Sequence, residues 1–273
     1  MGAVEWLPCH MDVEAAAAFV RSRGSQREQA RLAGILDGVR PERFVVRELE
    51  QLQHEDGGFP LEGEPGGPSS IDATCYVLSQ LKDMPPLIGS PMASRAIAFI
   101  RRNQAMDGAW AELPAAAAGG PPWVRAENLV AKPYLTANAA FTLVTVAPEQ
   151  SEPARRAVRW LQTALADTPE RQYALTLAMT WATRYRLEGG GGSDLRALFD
   201  LAISEHENAW GLAWQLSCAL DVRAGGDYLL PVMDALVRLA AMQGQDGSWP
   251  AEDGLPVEAT LASLRVFRGF GLI

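Results

Sequence analysis

Apolar residues recur at three- and four-residue intervals along nearly the whole chain, while runs of alternating Val, Ile and Thr are almost absent. That period belongs to helices packed along one stripe and not to strands. Gly and Pro punctuation at 57–68, 85–91, 119–122, 189–192, 225–226 and 244–256 falls between the periodic stretches. It cuts the chain into helices of ordinary length. The pattern predicts about twelve helices in six consecutive pairs: 12–23 with 26–37, 41–53 with 70–82, 91–104 with 135–146, 152–165 with 170–186, 194–206 with 208–222, and 228–243 with 257–268.

The two members of a pair differ. The first is amphipathic and charged, as in "PERFVVRELEQLQ" and "ASRAIAFIRRNQ", which predicts one wet face. The second is nearly uncharged, as in "ATCYVLSQL", "TANAAFTLVTV" and "EATLASLRVF", which predicts burial on most sides. Wet and dry helices in alternation imply two concentric layers, either an open solenoid of stacked hairpins or a closed ring. About six hairpins without polar caps favour the ring, an all-α (α/α)6 toroid around a central cavity, formed by residues 1–273 as a single domain.

A repeat punctuates the outer helices. "LQHEDGGFP" (52–60), "RNQAMDGAW" (102–110) and "AAMQGQDGSWP" (240–250) share the order Gln, three residues, Gly, one residue, aromatic: Gln53/Gly57/Phe59, Gln104/Gly108/Trp110 and Gln243/Gly247/Trp249. Gly stops a helix in the left-handed conformation without a Cβ penalty. The Gln amide offers a donor and an acceptor to helix ends that lack partners. The expectation is a staple tying each outer helix to the next, with the aromatic lying on the Gln amide.

Composition narrows the function. A net charge of −9 and a pI near 4.9 argue against nucleic acid, whose phosphates call for clustered Lys and Arg. No apolar run approaches the roughly 20 residues of a membrane span, and no basic-then-apolar leader opens the chain, so a cytoplasmic location is expected. Cys9, Cys75 and Cys218 cannot all pair and lack metal-ligand spacing; small buried residues are expected there.

The three Gln-x-x-x-Gly-x-Trp/Phe motifs, each followed by an apolar helix opening with Ala-Thr or a near relative, resemble the QW repeats of squalene–hopene cyclases and class II terpene cyclases. Protein prenyltransferase β-subunits share them in looser form. The resemblance covers most of the chain in period, Gln53 to Gln104 being about one repeat and Gln104 to Gln243 about three. Two intervening copies are degenerate: "RAVRWLQTALADTPERQYALTLA" lacks Gly-x-Trp, and "SEHENAWGLAWQL" has Ser204, Asn208 and Trp210 in the three slots.

The resemblance implies chemistry as well. Class II cyclases protonate an alkene or epoxide with the middle acid of an Asp-x-Asp-Asp-Thr-Ala motif at the start of an inner helix. In "SSIDATCYVLSQL", setting Thr74 on the family's Thr puts Asp72 in the donor slot, with Ser70 and Ala73 in the two flanking acidic slots. Such an acid must be buried, protonated and aimed into an apolar cavity. From the residues alone, Asp72 is equally a helix cap. Glu258 in "LPVEATLASL" occupies the same slot of the last repeat, as a second candidate acid or a carboxylate placed by the helix dipole.

Aromatic faces stabilise carbocations without adding a base. Tyr76, Tyr173, Trp210 and Trp214, on or beside inner helices, are the candidate cavity wall. The long connection 111–134 is a candidate lid, carrying Trp123, Arg125, Lys132 and Tyr134; Arg125 and Lys132 are the cations for a diphosphate, should the substrate carry one.

No metal or cofactor is expected, apart from magnesium accompanying a diphosphate. Asp72 and Cys75 do not match the prenyltransferases' Asp-x-Cys zinc spacing, and His10, His54 and His206 lie near a terminus, a staple turn and an outer helix end. The resemblance thus implies acid-initiated cyclisation of an isoprenoid or polyene. Larger family members add a second helical domain, so a partner protein supplying that wall is one expectation. The alternative is a non-catalytic toroid that binds a hydrophobic ligand or a protein.

Overall fold

The computed structural model describes residues 11–166, 172–204, 208–251 and 255–273. Cys9, His10 and His206 lie outside the described residues. Six helix pairs follow one another: α1 (Val13–Arg23) and α2 (Gln26–Asp37), α3 (Arg43–Leu52) and α4 (Ile71–Leu81), α5 (Pro91–Arg102) and α7 (Ala131–Val146), α8 (Glu152–Ala164) and α9 (Ala174–Glu188), α10 (Ser193–Ser204) and α11 (Ala209–Asp221), α12 (Leu229–Ala241) and α13 (Pro256–Gly269). A short α6 (Pro114–Gly119) lies in the connection before α7. The only strands among the described residues are β1 (Phe59–Pro60) and β2 (Ser69–Ser70), an antiparallel pair with Phe59 opposite Ser70.

The layers follow from the sequence pattern. Outer α8 buries Ala154, Ala157, Val158 and Leu161, one stripe at helical spacing. Inner α7 buries residues on nearly every side, Leu135, Thr136, Ala137, Ala139, Ala140, Phe141 and Leu143 among them. Neighbouring inner helices pack in the order α4, α7, α9, α11, α13, α2. The circle closes where Gly34 of α2 meets the end of α4: a Cβ there would stand 1.8 Å from the Asp83 carbonyl oxygen.

The repeated turns lock the outer layer. Gln53 Nε2 donates to the carbonyls of Gly57 (3.0 Å) and Met92 (2.9 Å), and Gln104 Nε2 to those of Gly108 (2.7 Å) and Pro153 (2.8 Å). These bonds tie α3 to α5 and α5 to α8. Gln243 ties α12 back to α1: Nε2 donates to Gly247 O (3.0 Å) and Asp12 O (2.9 Å), and Oε1 accepts from Asp12 N (2.9 Å). Gly247 sits at φ +84°, with its would-be Cβ 2.3 Å from the Ala15 carbonyl carbon, so both conformation and contact demand glycine.

The aromatic also carries hydrogen bonds that the repeat did not announce. Trp110 and Trp249 are fully buried, and each indole N–H donates at 2.7 Å to its own outer helix, at Ile100 O and Leu239 O. The backbone N–H groups of Phe59, Trp110 and Trp249 each donate at 3.0 Å to the inner-helix hydroxyls of Thr74, Thr136 and Thr260. Gln therefore joins neighbouring repeats, and the aromatic joins the two helices of one repeat. The slot assignment in "SEHENAWGLAWQL" needs correction: Asn208 caps α11, accepting from Gly211 N at 2.8 Å, and Trp210 lies in the first turn of that helix.

Candidate functional site

The start of α4 carries the central arrangement. Ser70 is the N-cap: its Oγ accepts from Ala73 N (3.1 Å) and donates to Glu112 Oε2 (2.7 Å). Glu112, buried two residues beyond Trp110, takes the neighbouring N–H groups. Its Oε1 accepts from Ile71 N (2.8 Å) and Leu113 N (2.9 Å), and its Oε2 from Asp72 N (3.2 Å). The capping reading of Asp72 is thereby corrected, because its side chain bonds none of these groups.

The Asp72 carboxyl instead faces the ring. Oδ1 accepts from Tyr134 Oη (2.9 Å) and Asn138 Nδ2 (3.0 Å), one turn apart on α7, and Oδ2 from the Trp123 indole (3.2 Å). Burial pushes the carboxyl above its ordinary value; the Tyr134 and Trp123 hydrogen bonds oppose that, the Glu112 charge adds to it, and Asn138 opposes it. Desolvation outweighs the three donors.

Helical spacing identifies the face turned to the ring axis. Asp72, Tyr76 and Ser79 on α4, Tyr134 and Asn138 on α7, Trp210 and Trp214 on α11, and Glu258, Ala262 and Arg265 on α13 keep partial exposure where their helix neighbours are mostly buried. Trp210 meets Trp214 edge-on (6.1 Å between centroids), Trp214 meets Tyr76 (6.4 Å), and Tyr134 meets Tyr173 edge-on (6.0 Å). Thus α4, α7 and α11 carry Tyr76, Tyr134, Trp210 and Trp214 on this face, and Tyr173, the N-cap of α9, meets Tyr134.

The connection 111–130 reaches over this end of the ring. Trp123, 42% exposed, contacts Asp72, while Asn128 Nδ2 donates to the Tyr173 hydroxyl (3.0 Å). The connection is shorter than expected, because α7 begins at Ala131 and holds Lys132 and Tyr134 in its first turn. Neither expected cation faces Asp72. Lys132 pairs with Asp107 (3.0 Å) and lies over the Trp160 ring (5.0 Å), and Arg125 Nε donates to Gly120 O (2.7 Å) within the connection.

Glu258 belongs to another arrangement. Arg31 Nη1 bonds both its oxygens at 2.7 Å, and Gln80 Nε2 donates to Oε1 at 3.3 Å. From there ion pairs alternate in sign: Arg31–Asp83 (3.0 Å), Asp83–Arg265 (3.1 Å), Arg265–Asp221, and Asp221–Lys82 (2.7 Å). Burial pushes Asp221 up, but Arg265 and Lys82 hold it below its ordinary value. The structure thus seats Glu258 in an ion pair with Arg31, where the sequence offered it as a second candidate acid. This chain, which the sequence pattern did not reveal, floors the ring around a cavity of about 30 Å³ that also touches Trp214, Ser79 and Ser217. That volume suits one water.

Cys75 and Cys218 are buried, and burial pushes both thiols up, away from the reactive thiolate. Among the described residues no group of three or more His, Cys, Asp or Glu is placed to hold a metal ion, and no helix is long and apolar enough to cross a membrane. Glu112 is the functional residue that sequence reasoning missed. Its signal is positional: two residues past the motif aromatic stand Leu61 and Ala251 in the other copies, and a carboxylate only here.

No protein-family model and no curated protein matches the chain. Solved structures do. A substrate complex of the type II terpene cyclase MstE from Scytonema, with geranylgeranyl dihydroxybenzoate, aligns at a TM-score of 0.59 and 14% identity, covering 95% of this chain and 97% of that one. A product complex of MstE with merosterolic acid A aligns at 0.56 and 13% identity over 95% and 96% of the two chains. An apo form aligns at 0.56 and 14% over 94% and 95%. The chain therefore has the all-α toroid fold of a type II terpene cyclase.

Proposed function

We propose that the protein is a class II terpene cyclase-like isomerase that cyclises an isoprenoid or polyene substrate, with Asp72 as the proton donor. One observation carries this reading. The start of α4 is capped by Ser70 and Glu112, leaving the raised-pKa Asp72 carboxyl turned to the ring axis among Tyr134, Asn138 and Trp123. In the reaction, the electron pair of a terminal alkene or epoxide takes the Asp72 proton. The resulting cation passes along the polyene as successive C–C bonds form, and a proton leaves at the end, so product and substrate are isomers. Tyr76, Tyr134, Tyr173, Trp210 and Trp214 present π-faces to the cation.

The MstE complexes hold a geranylgeranyl dihydroxybenzoate and its cyclised product, which supports a prenylated or polyprenyl substrate here. MstE matches the present chain over nearly the full length of both, so the reading needs no partner to wall the cavity. Pockets for drug-sized ligands measure roughly 300–1,000 Å³. The connection bearing Trp123, which bonds Asp72, is the segment whose movement would open that space to a C20 chain.

The second reading, a non-catalytic toroid binding a hydrophobic ligand or a protein, draws on the charged floor and its water-sized cavity. Incubation of the protein with geranylgeranyl dihydroxybenzoate, squalene and oxidosqualene, followed by mass spectrometry, separates the two. A product of unchanged mass and altered retention is expected. Binding of these compounds without any isomeric product favours the second reading.

A further inference from the structure

We propose that Glu112 is the positioning residue of the acid: by occupying the N–H groups at the start of α4, it frees the Asp72 carboxyl to face the ring as the proton donor. This rests on the cyclase reading for its chemistry, but its geometry stands apart from it. An Asp in the first helical turn ordinarily folds back on the free N–H groups, in the positive end of the helix dipole, where its anion is stabilised. Here Ile71 N and Asp72 N point at Glu112 (2.8 and 3.2 Å), and Ala73 N at Ser70 Oγ (3.1 Å). The helix start is satisfied without Asp72. Its carboxyl is left to Tyr134, Asn138 and Trp123.

Glu112 is itself fixed. It follows Trp110, whose indole and backbone N–H groups are held by Ile100 O and Thr136 Oγ1, and it accepts from Ser70 Oγ and Leu113 N. Its charge also sets the electrostatics. A carboxylate at the helix start offsets the dipole and disfavours a second negative charge beside it. The other titratable groups around Asp72 are Tyr134 on α7 and Cys75 one turn along α4; the overlying connection presents the neutral Trp123. Among the described residues, Glu112 is the carboxylate whose charge raises Asp72.

A ¹³C NMR titration of the side-chain carboxyls in the full chain tests this, with Asp72→Asn identifying the Asp72 signal. In the wild type Asp72 is expected to ionise above the ordinary carboxyl range. In Glu112→Gln the Asp72 midpoint is expected to fall by about one pH unit. The alkaline limb of kcat should move the same way. A purely structural role predicts a lower Tm with an unmoved Asp72 midpoint, and that result overturns the proposal. So does a wild-type Asp72 that ionises at or below the ordinary carboxyl value, a measurement that does not depend on the variant folding. Because the titration reads Asp72 directly, absence of turnover on every substrate sinks the cyclase reading without deciding this one.

Discussion

Gln243→Ala removes the bonds that close the outer layer of the ring. The side chain makes three: two donations, to Asp12 O (2.9 Å) and Gly247 O (3.0 Å), and one acceptance, from Asp12 N (2.9 Å). At a net ~0.5–1.5 kcal/mol each, the set is worth roughly 1.5–4.5 kcal/mol. The turn is only half-buried, so water replaces part of what is lost, and the expected cost is about 2 kcal/mol. Urea unfolding reads that cost, and amide exchange locates it: Val13–Arg23 should exchange faster while α4 and α7 stay protected. Gln243→Glu should cost more than Ala, because it sets a second oxygen against the Asp12 and Gly247 carbonyls. Gln243→Ala within about 0.5 kcal/mol of wild type, with exchange in α1 unchanged, would refute the staple.

Other consequences are as direct. Trp249→Phe keeps most of the packing and loses the bond to Leu239 O, so it should cost about 1–3 kcal/mol, against about 3–5 kcal/mol for Trp249→Ala; equal losses in urea unfolding would contradict the indole's part. Asp83→Ala leaves Arg31 and Arg265 without their shared partner and should cost about 3–5 kcal/mol by the same assay; a neutral outcome would show that the floor does not hold the ring shut. Burial raises the folded-state pKa of Asp72, so its stability contribution is complete below the ordinary carboxyl range and is lost as pH rises through the raised value. Asp72→Asn, which cannot ionise, should therefore gain in Tm relative to wild type as pH rises above the ordinary carboxyl value of about 4; a difference that stays constant with pH would show that Asp72 is not raised.

The helix pairs and staples were legible because each is written locally. Three- and four-residue periodicity gives the helices, and Gln, Gly and aromatic at fixed offsets give the turns. The aromatic's bonding was not legible: its partners Ile100 and Leu239 are backbone carbonyls ten residues back on its own outer helix, and carbonyls carry no sequence signal. Asp72 was legible from its place at the start of "IDATCYVLSQL", but its freedom from capping was not, since that depends on Glu112, forty residues on. Charges on inner helices were the hardest part. Arg31, Lys82, Asp83, Asp221, Glu258 and Arg265 come from four segments far apart in sequence, and only ring closure brings them together. Lys132 misled because its helix begins a turn earlier than the pattern suggested, which aims the ammonium at Asp107 and not at the mouth of the ring.

The central claim is that Asp72 gives the proton that starts a cyclisation. Asp72→Asn keeps the shape, and since Ser70 and Glu112 cap α4 it should leave helix content and folding intact. Wild type and Asp72→Asn, incubated side by side with geranylgeranyl dihydroxybenzoate and oxidosqualene and analysed for isomeric products, give the most direct measurement. The account predicts product from the wild type and a loss of at least about 100-fold in the variant, the scale of general acid catalysis. Product formed at undiminished rate by a folded Asp72→Asn would contradict it.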